Sequence, residues 1–193
     1  MSRRAEIADT AITTLARDGM RGLTHRAVDR AAGLPEGSAS YYFRTRQALL
    51  KATVERLAEL DSAEMLPSTS LPVPPGHELD AFAAAAAAII ENWLTTGRER
   101  QLARYELALE ATRRPELRDA LVASGAAIRA MVASHFAAAG IRQPGQRAAD
   151  FVAFLDGLVF DQIAGAGARN LTSADLVAAI RALLAAVTGI TTR

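Results

Sequence analysis

The sequence predicts an all-α protein, and three observations support this fold class. Apolar residues recur at helical spacing along most of the 193 residues. Hydrophobic residues make up 50% of the chain while aromatic residues make up only 5%, and the abundant alanine favours closely packed helices. No segment alternates apolar and polar residues as a half-buried strand does. We expect about nine helices: three in an N-terminal helix-turn-helix domain, a long fourth helix, and a C-terminal helical bundle.

The N-terminal helices follow from local start and stop signals. The first is predicted over residues 4–18, with Gly19 where a helix C-terminus favours glycine. Thr24 suits the N-cap of a second helix, which Gly33 closes. A short third helix is expected over about residues 36–42.

A proline-rich linker is the clearest break in composition. Thr45 can cap a fourth helix that ends near Met65, and the prolines that follow make residues 66–77 a non-helical linker. We divide the chain into a small domain, residues 1–47, and a larger helical domain, residues 48–193.

Five further helices are predicted beyond the linker, over residues 78–96, 99–113, 116–139, 147–165 and 174–187. A capping-box pattern opens the last of them, because Thr172 is followed three residues later by Asp175.

Composition excludes several kinds of site. The chain has no cysteine, which rules out disulfides, thiolate zinc sites and cysteine nucleophiles. The three histidines, His25, His77 and His135, lack partners at ligand spacing, so no metal or cofactor is predicted. The apolar run over residues 81–90 is too short for a bilayer, and the first ten residues lack the apolar core of a signal peptide. We expect a cytoplasmic protein without a membrane partner.

Charge and short motifs point to DNA. Residues 1–51 hold nine basic and five acidic residues, whereas the remainder holds thirteen basic and sixteen acidic residues. Residues 23–48 fit two short helices around a tight turn, the layout that presents a reading helix to the major groove. Threonines at two predicted helix starts could place backbone N–H groups at phosphates. Arginines near those starts could neutralise phosphate charge: Arg26, Arg44 and Arg46.

Residues 4–50 resemble the DNA-binding domain of the tetracycline-repressor (TetR) family of bacterial regulators. The matching residues are Gly22, Leu23, Thr24, Ala32, Gly33, Leu34, Gly37, Ser38, Tyr41, Tyr42, Phe43, Thr45, Arg46, Ala48, Leu49 and Leu50. Each piece alone is weak, but the combined motif is specific and covers about a quarter of the chain.

The resemblance implies double-stranded DNA with a palindromic operator as the partner. It places Thr24 and Arg26 at phosphate or the groove edge, and Tyr42 and Arg46 at phosphate. Arg4 would belong to an arm at the minor groove or phosphate, unless the terminus is frayed. The residues expected to face the groove are Gly37, Ser38, Ser40 and Tyr41.

Two departures from the family pattern matter. Ala39 and Ser40 stand where the family often has Leu-Tyr, so an aromatic phosphate contact is missing or moved. Glu36 could accept a hydrogen bond from cytosine or cap the third helix, and we favour the cap. Phe43 is expected to be a core plug.

The resemblance also implies that the larger domain binds a small molecule and forms a homodimer. Residues 104–117 resemble an actinobacterial-type subgroup of such domains. The last two helices are expected to form the interface through Phe151, Leu155, Leu158, Val159, Leu176, Ile180, Leu183, Leu184 and Val187.

The effector site is harder to place. Residues of apolar and polar character that could line it are Trp93, Tyr105, Glu106, Leu109, Met131, His135, Phe154 and Asp161. Residues such as Trp93 and Tyr105 are more often core than ligand-binding residues, and His135 on its alanine-rich helix fits a satisfied buried or boundary histidine. Asp156 and Asp161 do not share a helix face, so either could serve the pocket or the interface. Few charges surround the central helices, which favours a largely apolar ligand.

We interpret the chain as a homodimeric transcriptional repressor released from its operator by a small molecule. A helical-bundle enzyme is one alternative, although no carboxylates are paired at catalytic spacing. An interaction protein that has lost DNA binding is the other, and the salt dependence of DNA affinity separates it from a regulator.

Overall fold

The structure is a computed structural model that describes residues 2–65, 78–167 and 170–189. The predicted linker, residues 66–77, lies outside the described residues. Within those residues the chain forms nine helices and no strand, which confirms the all-α class. The helices are α1 (Arg3–Gly22), α2 (His25–Ala31), α3 (Ser38–Tyr42), α4 (Arg46–Met65), α5 (Glu78–Leu94), α6 (Arg98–Ala111), α7 (Pro115–Ala138), α8 (Pro144–Ile163) and α9 (Ser173–Thr188).

Side-chain caps set several helix starts. The Thr24 hydroxyl accepts from the Ala27 N–H at 3.1 Å and opens α2, and Thr45 accepts from the Ala48 N–H at 3.0 Å near the start of α4. The predicted capping box of α9 is present, since Thr172 and Asp175 bond reciprocally. These local signals were readable in the sequence because each cap acts within one turn.

Helix α1 differs from its prediction. Gly19 interrupts it with φ 67°, as a C-terminal glycine would, but the chain then resumes a helical turn through Gly22. A Cβ on Gly22 would lie 2.3 Å from the Asp18 Cβ, so this turn requires glycine there.

The described chain divides into two compact units. One contains Met1–Asp61 and Gly97–Gly125, and the other contains Ser62–Thr96 and Ala126–Arg193. This division follows contacts along the backbone and places α6 with the N-terminal helices. The division into a small DNA-binding and a larger effector-binding domain is a functional one and stays a prediction.

In the first unit, α1 packs extensively on α6 and on α2. The core includes Ile7, Leu15, Leu49 and Leu107, all fully buried. Arg56 of α4 reaches α1, where its guanidinium donates to both carboxylate oxygens of Asp9 at 2.7 and 3.2 Å. Hydrogen bonds to Asp9, and then to Glu59, raise the pKa of Arg56, so this contact between α1 and α4 stays charged.

In the second unit, α5 packs on α8 and α9 around an aromatic centre. The rings of Phe82, Phe136 and Phe151 lie 5.6–5.8 Å apart between centroids. An ion pair of 3.0 Å joins Arg181 of α9 to Asp80 of α5. The second unit is therefore held by buried aromatic and aliphatic side chains, with this ion pair at its partly exposed edge.

Helix α7 has the length and apolar composition of a membrane-spanning helix, and only 11% of its most apolar window is buried. This segment is distinct from the apolar run over residues 81–90 and was not predicted from the sequence. One such helix is weak evidence, because core helices of non-membrane proteins pass the same test. Arg129 lies within α7, where a charge would be costly at the centre of a bilayer.

Candidate nucleic-acid interface

Helices α2 and α3 form a helix-turn-helix. Gly33 adopts φ 64° in the turn, and the Leu34 N–H donates to the Asp29 carbonyl at 2.8 Å. Val28 of α2 and Ala39 of α3 are fully buried between the elements. These small side chains let the two helices approach closely, which leaves the opposite side of α3 free.

The free side of α3 carries the predicted groove-facing residues. Gly37, Ser40 and Tyr41 are exposed, and the Tyr41 side chain is 79% exposed. Tyr42 is half-buried and meets the Tyr41 ring edge-on at 5.2 Å. Ser38 is also half-buried, and its hydroxyl donates to the Pro35 carbonyl at 2.7 Å. The structure thus brings these five residues together on one short helix and its N-cap.

The N-terminal end of α3 is capped by a residue that sequence reasoning missed. Asp29 of α2 is 2% exposed, and its two carboxylate oxygens accept from the N–H groups of Gly37 at 2.8 Å and Ala39 at 2.7 Å. The expected cap by Glu36 is wrong, because that carboxylate pairs with Arg26 at 2.8 Å instead. No local signal in the sequence indicates this cap, because Asp29 falls off the apolar stripe of Ala27, Val28 and Ala31.

The C-terminal end of α3 is also held by side chains. Arg4 donates to the Tyr42 carbonyl at 3.0 Å, and its guanidinium lies 4.6 Å from the centroid of the Phe43 ring. His25 Nε2 lies 2.6 Å from the Phe43 carbonyl oxygen. Phe43 itself is 3% exposed, which confirms it as a core plug. Arg4, which the sequence predicts at DNA, thus has a structural role at the end of α3.

The remaining predicted contacts surround the start of α2. Thr24 is exposed, although its hydroxyl accepts the hydrogen bond that caps α2. The Arg26 side chain is 82% exposed despite its ion pair with Glu36. A cleft of about 200 Å³ lies beside this pair and is lined by Arg26, Asp29, Arg30, Leu34 and Glu36. Within the described ranges no group of three or more His, Asp or Glu side chains is arranged to hold a metal ion.

Family models match both parts of the chain. The model described as bacterial regulatory proteins of the tetR family matches residues 7–53, and the model of a tetracyclin repressor-like C-terminal domain matches residues 77–189. The chain belongs to the TetR family. It is accordingly a DNA-binding transcriptional regulator with a ligand-binding domain, and this assignment points away from an enzyme.

Solved structures of TetR-family regulators share the fold. A transcriptional regulator from Rhodococcus sp. Rha1 is 20% identical with a TM-score of 0.78, over 96% of each chain. A TetR-family member from Streptomyces coelicolor A3 is 26% identical with a TM-score of 0.73, over 95% of this chain and 98% of that one. The multidrug binding protein EbrR in complex with ethidium is 26% identical with a TM-score of 0.71, over 94% and 98%. A comparison with curated proteins finds no significant match.

Arg46, predicted to grip phosphate, is bound within this TetR-family chain. Its guanidinium donates to the carbonyl of Met20, in the last turn of α1, and to that of Leu23, which directly follows α1. The Met20 N–H in turn donates to the Glu106 carboxylate at 3.1 Å. Arg46 and Glu106 thus both stabilise the end of α1. Glu106, which the sequence predicts at the effector, forms a hydrogen bond within the protein.

The predicted effector residues fall in both compact units. Tyr105, Glu106 and Leu109 belong to the first, and Trp93, Met131, His135, Phe154 and Asp161 belong to the second. Tyr105 is 8% exposed, whereas Leu109 and Phe154 are 61% and 60% exposed. Two clefts of the first unit, the one beside Arg26 and one of about 30 Å³ near Lys51, contain none of these residues.

Within the second unit, three of these side chains have identifiable partners. The Trp93 indole N–H donates to Glu64 at 3.1 Å. His135 Nδ1 lies 2.9 Å from the Met131 carbonyl, and the imidazole lies 5.6 Å from the Phe82 ring. Asp161 packs on the turn after α8, where a Cβ on Gly167 would lie 1.7 Å from its Oδ2. The aromatic centre around Phe82 was missed because its rings come from three helices.

The predicted interface residues need correction. Six of the nine are at most 5% exposed within the single chain, namely Phe151, Val159, Leu176, Ile180, Leu184 and Val187. They pack α8 and α9 against α5 and one another, so they cannot also face a second subunit. The other three are half-buried: Leu155, Leu158 and Leu183.

Proposed function

We propose that the chain is a homodimeric repressor that leaves a palindromic operator when a small, largely apolar molecule binds it. The observation that carries the proposal is the free side of α3, which presents Ser40 and Tyr41 while the rest of the helix is buried or bonded. Such a side can enter the major groove, and two copies are needed to read two half-sites about 34–36 Å apart. A protein of this kind acts on the chromosome, which places it in the bacterial cytoplasm.

The DNA contacts divide into two kinds. Gly37, Ser38, Ser40 and Tyr41 face base edges, where short side chains permit close approach. Thr24, Arg26 and the Tyr42 hydroxyl contact phosphate. Arg4 and Arg46 support DNA binding partly by stabilising the helix-turn-helix domain itself. Each of them already donates to backbone carbonyls of that domain.

Genomic capture followed by a conservative variant tests this proposal. Fragments retained by the purified protein are sequenced, and affinity for the enriched palindrome is measured by gel shift at several salt concentrations. Tyr42→Phe keeps the packed ring but removes the hydroxyl, so we expect weaker binding by about five- to tenfold at unchanged stability. Tyr105→Phe removes a hydroxyl from α6 and is the matched control. Capture of no palindrome, or equal affinity of Tyr42→Phe and wild type, contradicts the proposal.

The dimer interface is proposed on the outward side of α8. Phe154 and Phe160 are 60% and 42% exposed, and helical spacing places Gly157 between them, with Ala153 and Ala164 alongside. Small residues at the centre let a second α8 approach, while the flanking rings supply apolar area. A second copy of this chain fits this side because DNA reading requires two α3 helices in fixed register.

The effector is proposed to be an aromatic or otherwise largely apolar small molecule. At the edge of the aromatic centre, the half-buried rings of Phe82 and His135 offer faces for stacking, while Phe136 and Phe151 are fully buried behind them. EbrR, a structural neighbour at 26% identity, was solved with ethidium and with malachite green, both of which are dyes with several aromatic rings.

The single tryptophan gives a direct assay for this effector class. Trp93 lies in the second unit beside Glu64, so a ligand near it should alter its fluorescence. We expect saturable quenching by ethidium and by malachite green, and release of the captured DNA over the same concentration range. Quenching without release contradicts the proposed induction, and no response to either dye contradicts this effector class.

Induction would act as a population shift. A ligand that favours one position of α4 would change the separation of the two reading helices and weaken operator binding. No chemical step is required.

A further inference from the structure

We infer that Asp29 and His25 are positioning residues that hold the reading helix α3 at both ends and thereby set its orientation for DNA. Neither residue is among the DNA contacts predicted from the sequence. The inference rests on the proposed role of α3 in reading DNA, and it deepens that role by naming the groups that fix the helix.

Helix α3 cannot hold its own shape. It has five residues, far fewer than the ~12–15 at which isolated helices become even marginally stable. Its N-cap is Gly37, which has a left-handed φ of 96° and no side chain to accept from the first free N–H groups. The order of α3 therefore depends on groups supplied by other helices.

Asp29 supplies the missing cap. Both of its oxygens accept backbone N–H groups, from Gly37 at 2.8 Å and Ala39 at 2.7 Å. The residue is only 2% exposed, so water competes little for the carboxylate. A charged acceptor makes each bond stronger than a neutral one, and negative charge at a helix N-terminus also complements the helix dipole.

His25 and Arg4 hold the opposite end. The Phe43 carbonyl can only accept, so the His25 Nε2 at 2.6 Å carries the hydrogen. Arg4 donates to the neighbouring Tyr42 carbonyl at 3.0 Å. Cationic and N–H donors at a helix C-terminus satisfy its free carbonyls and complement the dipole.

The spacing on α2 matches the length of α3. His25 and Asp29 are four residues apart on α2 and share one of its faces. Four residues advance about 6 Å along a helix, and five residues of α3 span about 7.5 Å. Two side chains of α2 therefore hold both ends of α3, which sets the tilt and rotation at which Ser40 and Tyr41 reach the groove.

A pair of charge-matched variants tests the Asp29 cap. Asp29→Asn keeps the shape but removes the charge, and Glu36→Gln removes the same charge from an exposed residue seven positions later. If only net charge mattered, both variants would bind polyanionic DNA more tightly. We expect Asp29→Asn to bind about tenfold more weakly and Glu36→Gln to bind at least as tightly as wild type, because only the first loosens α3.

Amide hydrogen exchange of the full chain, followed by NMR without DNA, gives an independent reading. In Asp29→Asn the Gly37 and Ala39 amides should exchange at least about tenfold faster, while core amides of α1 keep their wild-type rates. In Glu36→Gln both amides should exchange as in wild type. Wild-type exchange at these amides in Asp29→Asn, or DNA binding as tight as wild type, overturns the inference.

A second test uses the C-terminal end of α3 and does not require that Asp29→Asn folds well. His25→Ala removes the donor to Phe43, whereas His25→Gln retains an N–H donor of similar reach. We expect His25→Ala to weaken DNA binding several-fold and to speed exchange in α3, and His25→Gln to restore both. Equal behaviour of the two variants overturns the role of His25. If wild type binds no DNA, the proposed function fails, and the exchange rates still decide whether α3 is held in this way.

Discussion

Glu36 should restrain DNA binding, and its replacement by glutamine tests this directly. In the free protein its carboxylate lies 2.8 Å from the Arg26 Nε, and the two side chains are 70% and 82% exposed. The pair occupies the surface beside α3 that we propose faces DNA. Glu36→Gln therefore removes both a competitor for Arg26 and a negative charge near the phosphates.

The size of the effect follows from the exposure of the pair. A solvent-exposed ion pair is worth ~0–1 kcal/mol, so Arg26 leaves Glu36 at little cost when a phosphate is available. Glu36→Gln should tighten binding by up to about fivefold per half-site at low salt. Since screening shortens the range of both interactions, the gain should shrink as salt is raised.

A salt titration of operator affinity measures this, with two arginine variants as references. Arg26→Ala should lower the slope of log K against log salt by about 0.9 per half-site if Arg26 neutralises one phosphate. Arg142→Ala removes an exposed arginine between α7 and α8, in the second unit, and should leave the slope unchanged.

The opposite sign would refute this reasoning. A Glu36 carboxylate that accepts from cytosine would contribute ~1–3 kcal/mol, so Glu36→Gln would weaken binding about tenfold and relax the preference at one base pair. That result would make Glu36 a base-reading residue and its pairing with Arg26 a feature of the free protein alone.

Three further outcomes are expected. Arg46→Lys keeps the charge but cannot span the carbonyls of Met20 and Leu23, so urea unfolding should show a loss of about 1–2 kcal/mol, and no loss would contradict this structural role. Gly22→Ala places a Cβ 2.3 Å from a neighbouring Cβ and should cost about 1–3 kcal/mol, while Gly145→Ala, with nothing within 4 Å, should be neutral. Phe154→Ser should shift sedimentation toward the monomer at unchanged thermal stability, whereas Phe136→Ala, at a fully buried position, should lose about 3–5 kcal/mol of stability.

Much of the helical layout was predictable because its signals are local. Thr24, Thr45 and Thr172 each accept an N–H from within their own helix, and a pattern of three or four residues reveals such a cap. The resumed turn at the end of α1 was not predictable in this way. It is held by Arg46 and Glu106, which come from α4 and α6, so nothing near Gly19 in the sequence announces it.

The exposed side of α3 could be predicted from the sequence residue by residue, but the groups that hold α3 could not, and its contact with DNA stays a prediction. Small and hydroxyl side chains after a glycine turn suggested the groove-facing group of α3, and the structure exposes or half-exposes that group. The cap was sought at Glu36 because caps are usually adjacent in sequence. Asp29 fills that role from α2, where helical periodicity alone makes an aspartate resemble a surface residue.

The same limit explains the interface residues. A hydrophobic stripe shows which side of a helix is buried, but it does not show what buries it. In α8 and α9 the apolar stripe is buried against α5 and where these two helices pack on each other. Phe151 and Ile180 are therefore buried within a single chain. The second copy that we propose would use what remains outward, and on α8 that includes Gly157 flanked by Phe154 and Phe160. For helices packed on their own chain, the residues that best predict the dimer are therefore the apolar ones that fall off the main stripe.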